Sequence, residues 1–222
     1  MTARASSSAP ALPTARGAAA GRRIARVLLR SLWSVRIRGA EHVPVHGPVI
    51  LAPNHAGFID GPLIMCASPR PFHALVKKEM FRGPLAWLLR AVGQIPVDRD
   101  EPSRVSLKAA SGVLDDGRVL VVFPEGTRGA GDFSELRTGL AWFALRSGAP
   151  VVPVVFVGTG ARGRTLGGLP GLRSRLDVVF GAPVTVSTEG GRSRSALDAA
   201  TIHLRDALVA HHRATTASIT DR

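Results

Sequence analysis

His55 and Asp60, in the stretch Asn54-His55-Ala56-Gly57-Phe58-Ile59-Asp60, are the residues of this chain best suited by type and spacing to move a proton. Histidine is the one side chain whose ordinary pKa lies near neutrality, and a carboxylate holding one ring nitrogen leaves the other free as a base. The spacing sets a condition. On a regular α-helix, residues five apart project roughly 140° apart, on different faces. The two side chains therefore meet only if the segment between them is a turn, with Gly57 letting the backbone bend and Asp60 near the start of the next helix. The alternative is a loop histidine and a capping aspartate that never touch. Two further stretches carry charge after an apolar run, Gly93-Gln94-Ile95-Pro96-Val97-Asp98-Arg99 and Phe123-Pro124-Glu125-Gly126-Thr127-Arg128. A guanidinium can hold phosphate oxygens in bidentate fashion, which suits Arg99 and Arg128. Each also has an acidic neighbour, Asp98 or Glu125, with which a surface ion pair would form instead.

These residues need elements to hold them. Pro48–Pro53 is an apolar run bounded by prolines and reads as a short buried strand ending at the histidine turn. Further strands are expected at 35–38, 72–77, as a short strand and turn within 93–99, and at 118–123, 151–157 and 176–180. Helices are expected near 61–67, 79–92, 102–116, 136–147 and 194–210. Strands alternating with helices imply an α/β fold, a mixed and largely parallel sheet covered by helices on both faces and preceded by an N-terminal amphipathic helix. The polar residues named above all fall at strand ends, where such sheets build their sites.

The chain has 222 residues, enough for one domain with a substantial core, and 45% are hydrophobic. No uncharged apolar run is long enough to span a membrane. A lone cysteine, Cys66, rules out an internal disulfide, and its apolar surroundings fit a core thiol better than a nucleophile. The remaining histidines show no metal-ligand spacing, and no nucleotide-binding loop is visible. The formal charge is +13, and the first forty residues contribute +8 through eight arginines and no acid. A basic chain can bind nucleic acid, anionic lipid or a phosphorylated substrate. Tyrosine is absent and no recognition helix or finger spacing occurs, so nucleic acid is the weakest of these.

Residues 1–20 are poor in bulky apolar side chains and are expected to be a disordered basic tail. Arg22-Arg23 has the look of a twin-arginine export signal, but Arg26 and Arg30 interrupt what would be its apolar core. Across 21–35, Ile24, Val27, Leu28, Leu32 and Val35 share one helical face, with Arg22, Arg23, Arg26 and Arg30 opposite. Such a helix can lie in the headgroup layer of an anionic membrane with Trp33 at the interface, or pack on its own domain with its arginines in water. Residues 36–210 then form the main domain and 211–222 a polar tail.

Taken together, four blocks resemble the glycerolipid acyltransferase family, typified by lysophosphatidate acyltransferase. His55 and Asp60 match its histidine and aspartate separated by four residues. Gly93–Arg99 is similar to its second block, Phe123–Arg128 reproduces its Phe-Pro-Glu-Gly-Thr-Arg block, and Val151-Val152-Pro153-Val154 is similar to its fourth. The similarity runs from about Arg36 to Pro183. It implies that His55 is a general base oriented by Asp60, acting directly on an acceptor hydroxyl without an acyl-enzyme. It implies that Arg99, Glu125, Gly126, Thr127 and Arg128 form the site for the acceptor's phosphate, Glu125 positioning an arginine or a substrate hydroxyl there, with Asn54, Pro124 and Pro153 in support. Gly57 departs from a frequent serine and Arg137 from a frequent lysine, while Lys77-Lys78-Glu79 resembles a further family pattern. The resemblance implies no metal and no cofactor. The acyl donor would be acyl-coenzyme A or acyl carrier protein, the acceptor a lysophospholipid, and the setting the cytoplasmic side of an anionic membrane, peripherally bound. Another lysophospholipid or a glycolipid is the alternative acceptor. A catalytically silent lipid-binding module is the alternative of another class.

Overall fold

The computed structural model describes residues 13–98, 103–126, 130–134, 136–160, 168–188, 191 and 193–220. Among these residues seven strands form one sheet: β1 (Ser34–Arg38), β2 (Val49–Pro53), β3 (Phe72–Lys77), β4 (Ile95–Val97), β5 (Val119–Val121), β6 (Val151–Val157) and β7 (Arg175–Phe180). Their order is β1-β7-β6-β2-β5-β3-β4. Every pairing is parallel except β6 with β7, so β1 and β7 run against the other five. The sequence explains the positions. β2 is buried at every residue, as a central strand covered on both faces must be. β4 carries Pro96, which lacks an N–H, and it lies at the sheet's edge.

Among the described residues there are six α-helices: α1 (Ala15–Leu32), α2 (Asp60–Ala67), α3 (Gly83–Ala91), α4 (Arg104–Asp115), α5 (Gly139–Ser147) and α6 (Arg194–Thr220). One core cluster joins α1 and α2 to one face of the sheet, and a second joins α4, α5 and α6 to the other. The expected mixed, largely parallel α/β sheet is the observed one.

Several expected boundaries differ. α1 begins at Ala15, so residues 15–20 are helical rather than part of a disordered tail, while 1–12 lie outside the described residues. Few bulky side chains is here a packing surface. Gly17 and Gly21 press on the end of α3, where an added Cβ at Gly17 would sit 1.9 Å from the Ala91 carbonyl oxygen. The expected helix over 79–92 divides into a short 3₁₀ turn at Lys78–Met80 and then α3, because Gly83 takes a left-handed φ of 54° and Pro84 starts a new helix. The polar tail from 211 is instead the last part of α6. Leu204, Leu208 and Thr215 are buried, and the His211 Nε2 donates to the Val179 carbonyl at 3.2 Å. The helical period continues there in polar residues, which composition alone hides.

α1 packs on the domain through its small residues and leaves its large apolar ones outside. Ala18, Gly21, Ala25 and Leu29 face inward, and Ile24, Val27, Leu28 and Leu32 face solvent. Arg22 Nη1 and Arg26 Nε donate to the Ser68 and Cys66 carbonyls at 3.4 Å each, at the C-terminal end of α2, where the helix dipole favours a cation. Trp33 is buried, its Nε1 donating to the Pro170 carbonyl at 3.2 Å, so it is a packing residue rather than an interfacial anchor.

Candidate functional site

The central strands β6, β2 and β5 bring their C-terminal ends side by side, and the site is built on those ends. β2 stops at Pro53, and the next residue, Asn54, is buried. Its side-chain amide replaces a strand neighbour. Oδ1 accepts the Phe156 N–H at 2.7 Å, and Nδ2 donates to the Phe156 carbonyl at 3.3 Å and the Gly131 carbonyl at 3.0 Å. The chain can then leave the sheet as a tight turn with its polar groups paired.

Within that turn, Asp60 Oδ2 accepts three hydrogen bonds. Two come from the main-chain N–H groups of Ala56 and Gly57 at 2.8 Å, and one from His55 Nδ1 at 2.9 Å. The turn that the spacing required is present, and Asp60 is the first residue of α2. Asp60 is fully buried, and a carboxylate oxygen already taking two N–H donors fixes the histidine hydrogen on Nδ1. Nε2 is left as a lone-pair acceptor. The ring packs at 4.5 Å between centroids against Phe123, the residue opening the third block. Asp60 Oδ1 has no hydrogen-bond partner among the described residues.

Gly57 is fixed by space. A Cβ there would meet the Thr159 carbonyl oxygen at 2.4 Å, so the loop after β6 closes down where a serine would need room. Nothing in the sequence joins positions 57 and 159, and this close approach was not foreseeable.

The Pro124-Glu125-Gly126 turn follows β5. Gly126 has a left-handed φ of 71°, and Arg137 covers it, its N–H donating to the Pro124 carbonyl at 3.0 Å. Glu125 Oε1 accepts the Phe133 N–H at 3.1 Å, and the His55 main-chain N–H faces the same carboxylate. Burial pushes Glu125 up to about 7, with the charges of Asp132 and Asp60 adding, against those two N–H groups. Phe133 itself is buried in a left-handed conformation, φ 61°, with its ring edge-on to His212. No sequence signal marks it.

The structure thus brings together His55, Asp60, Asn54, Pro124, Glu125 and Gly126. Pro153 lies inside β6 opposite Ala52, and its carbonyl accepts the Gly181 N–H at 2.8 Å. Arg99, Thr127 and Arg128 lie outside the described residues. Asp98, which precedes Arg99, is paired with Lys78.

A buried carboxylate, an imidazole with one nitrogen held and the other free, and a turn of main-chain groups can take a proton from a bound hydroxyl and return it. Cys66, the one thiol, is buried in α2 and its pKa is raised by burial, the reverse of what a thiolate nucleophile needs.

Comparison with known proteins adds an independent line. Residues 34–157 match the model of a family described as Acyltransferase. The 1-acyl-sn-glycerol-3-phosphate acyltransferase of Bacillus subtilis is 30% identical over 137 residues, covering 60% of this chain and 67% of the relative. That of Streptococcus pneumoniae is 30% identical over 164 residues, 70% of this chain and 59% of the relative. The crystal structure of the 1-acyl-sn-glycerophosphate acyltransferase PlsC of Thermotoga maritima superposes with a TM-score of 0.63 at 23% identity. It covers 93% of this chain and 79% of that one, a likeness of fold.

Proposed function

Because the chain belongs to the acyltransferase family, we propose that it moves a fatty acyl group from a thioester to the free hydroxyl of 1-acylglycerol-3-phosphate, forming phosphatidate. The observation that carries this reading is the His55 imidazole held through Nδ1 by a buried carboxylate, with Nε2 left to act. Nε2 takes the hydroxyl proton as the oxygen attacks the thioester carbonyl, forming a tetrahedral intermediate. The carbon–sulfur bond then breaks, and the imidazolium returns its proton to the leaving thiolate. Asp60 stabilises the imidazolium through the transfer. The acyl group passes directly, without an acyl-enzyme, and the donor is acyl-coenzyme A or acyl carrier protein. Incubation with radiolabelled acyl-coenzyme A alone should leave no label on denatured protein. A stoichiometric burst of bound label would contradict direct transfer.

We assign the acceptor's phosphate to Arg99 and Arg128, together with Gly126 and Thr127 of the third block. Arg128→Ala is expected to raise the acceptor KM by roughly 10- to 100-fold, the scale of a lost charge-assisted bidentate contact. The donor KM should change much less. Equal effects on both would argue against the assignment.

The acceptor and product are lipids, and α1 offers a surface to meet them. Val27 is 67% exposed and Trp87 74% exposed. They belong to an outward apolar set, Ile24, Val27, Leu28 and Leu32 on α1 and Leu85, Trp87 and Leu88 on α3. The start of α1 rests on the end of α3. Its other end is bonded to the 170–173 segment, which exposes Leu172. Arg16, Arg23 and Arg30 are exposed on the same helix. Apolar side chains rimmed by arginine suit the headgroup layer of an anionic bilayer, and we assign this face to the cytoplasmic surface of the membrane. No helix among the described residues is long and apolar enough to cross one. Val27→Glu with Leu28→Glu alters only exposed positions, so it should abolish co-sedimentation with anionic vesicles and leave the circular dichroism spectrum unchanged. Undiminished sedimentation would remove α1 from the docking surface.

A further inference from the structure

Glu125 was grouped with the phosphate ligands by sequence, but its surroundings are those of a different task. A carboxylate next to a phosphate repels it, whereas this one is turned toward main-chain donors. Its Oε1 accepts the Phe133 N–H at 3.1 Å, and the His55 N–H faces the same group. The neighbouring residues grip the same two segments. Asn54, before the histidine, donates to the Gly131 carbonyl, and Gly131 packs so closely on Ala56, after it, that an added Cβ would lie 3.0 Å from the Ala56 Cβ. Residues 54 and 56, on either side of His55, are therefore held against Gly131, and Glu125 is bonded to Phe133 in the same stretch. That stretch is itself held in an unusual shape, with Phe133 at a φ of 61° and its ring fully buried. A left-handed phenylalanine persists only where its surroundings over-determine it.

We propose that Glu125 is a positioning residue whose carboxylate clasps the main chain of the His55 turn to the main chain at Phe133, fixing the imidazole for proton transfer rather than binding the acceptor's phosphate. The inference rests on the acyltransferase reading for its catalytic meaning, but the clasp itself is a property of the fold. The charged and titratable groups facing it are Asp60 and His55 on the β2 turn, Asp132 on the clasped stretch, and His212, which packs on Phe133 from α6. Desolvation with the nearby Asp132 and Asp60 places its ionisation at about 7. The Phe133 N–H bond therefore strengthens as pH rises through that value and the carboxylate gains its charge.

The test uses the full chain as Glu125→Gln, which keeps the shape and one acceptor oxygen, and Glu125→Ala, which keeps neither. Amide hydrogen exchange reads the clasp without reference to activity. Protection at Phe133 and His55 should fall in the alanine variant while the β2 and β5 amides hold theirs. Unchanged protection at both residues would overturn the clasp. Kinetics read its consequence. Misplacing a base by a fraction of an ångström should lower kcat by on the order of 10- to 100-fold, with the acceptor KM within about threefold of wild type. The acid limb of kcat near pH 7 should move to lower pH in Glu125→Gln, the substrate's own ionisation being common to both enzymes. A dominant rise in acceptor KM with an unmoved limb would return Glu125 to the phosphate site. If wild type itself turned over no acceptor, the functional reading would fail, and the exchange data would still decide the clasp. If the alanine variant did not fold, the shape-preserving glutamine variant carries both readouts.

Discussion

His55→Ala is expected to lower acyl transfer to the acceptor by ~10²–10⁴-fold in kcat, the range a placed general base supplies. An alcohol is a poor nucleophile until its proton has somewhere to go, and Nε2 is the acceptor left once Asp60 has taken Nδ1. The imidazole is largely enclosed, lying against Phe123, so deleting it removes a ring contact as well as the base. The two losses separate experimentally. Circular dichroism and thermal melting report the contact, and kcat measured on folded protein reports the base. A variant melting within a few degrees of wild type but inactive would place the loss in the chemistry. Retained activity would move the proton transfer elsewhere.

Asp60→Asn is expected to reduce kcat by roughly 10²–10⁴-fold, because the charge that stabilises the imidazolium and the control of its tautomer go together. It should also destabilise the fold. Asp60 Oδ2 holds the Ala56 and Gly57 N–H groups, so the asparagine carbonyl must stay there to keep the turn. Its NH₂ then falls where Oδ1 now lies, a buried position with no partner among the described residues. A buried unpaired donor costs about 1–3 kcal/mol. For a domain of this size that is a fall in melting temperature of several degrees. Loss of stability without loss of activity in the folded fraction would mean that Asp60 serves only the turn.

The His55–Asp60 contact was legible as one of two readings because its logic is local. A strand ending in proline, a glycine and a helix start lie within one short stretch, so Asn54–Asp60 could be read without neighbours. The strands β2, β5 and β6 were legible for the same reason, since β-branched runs between turn signals have one reading in an α/β chain. What stayed hidden depends on contacts between distant residues. The sequence paints Ile24, Val27 and Leu28 as one face of α1 but cannot say that glycines and alanines form the packed side, or that Arg22 and Arg26 turn inward to the carbonyls ending α2. α3 is apolar in sequence, yet Trp87 and Leu88 are exposed and only Ala86 is buried. Phe133 and Thr159 hold the site through main-chain positions that any residue name leaves unspecified. Glu125 is the instructive case. Its block is plain in the sequence, and its bonding partner, Phe133, comes from a segment that only the fold turns back onto it.

The decisive measurement is release of free thiol from oleoyl-coenzyme A, with and without 1-oleoylglycerol-3-phosphate, for wild type and His55→Ala side by side. The account predicts release that requires the acceptor, matches phosphatidate formed mole for mole, and is lost in the variant. Acceptor-independent release that survives His55→Ala would contradict it.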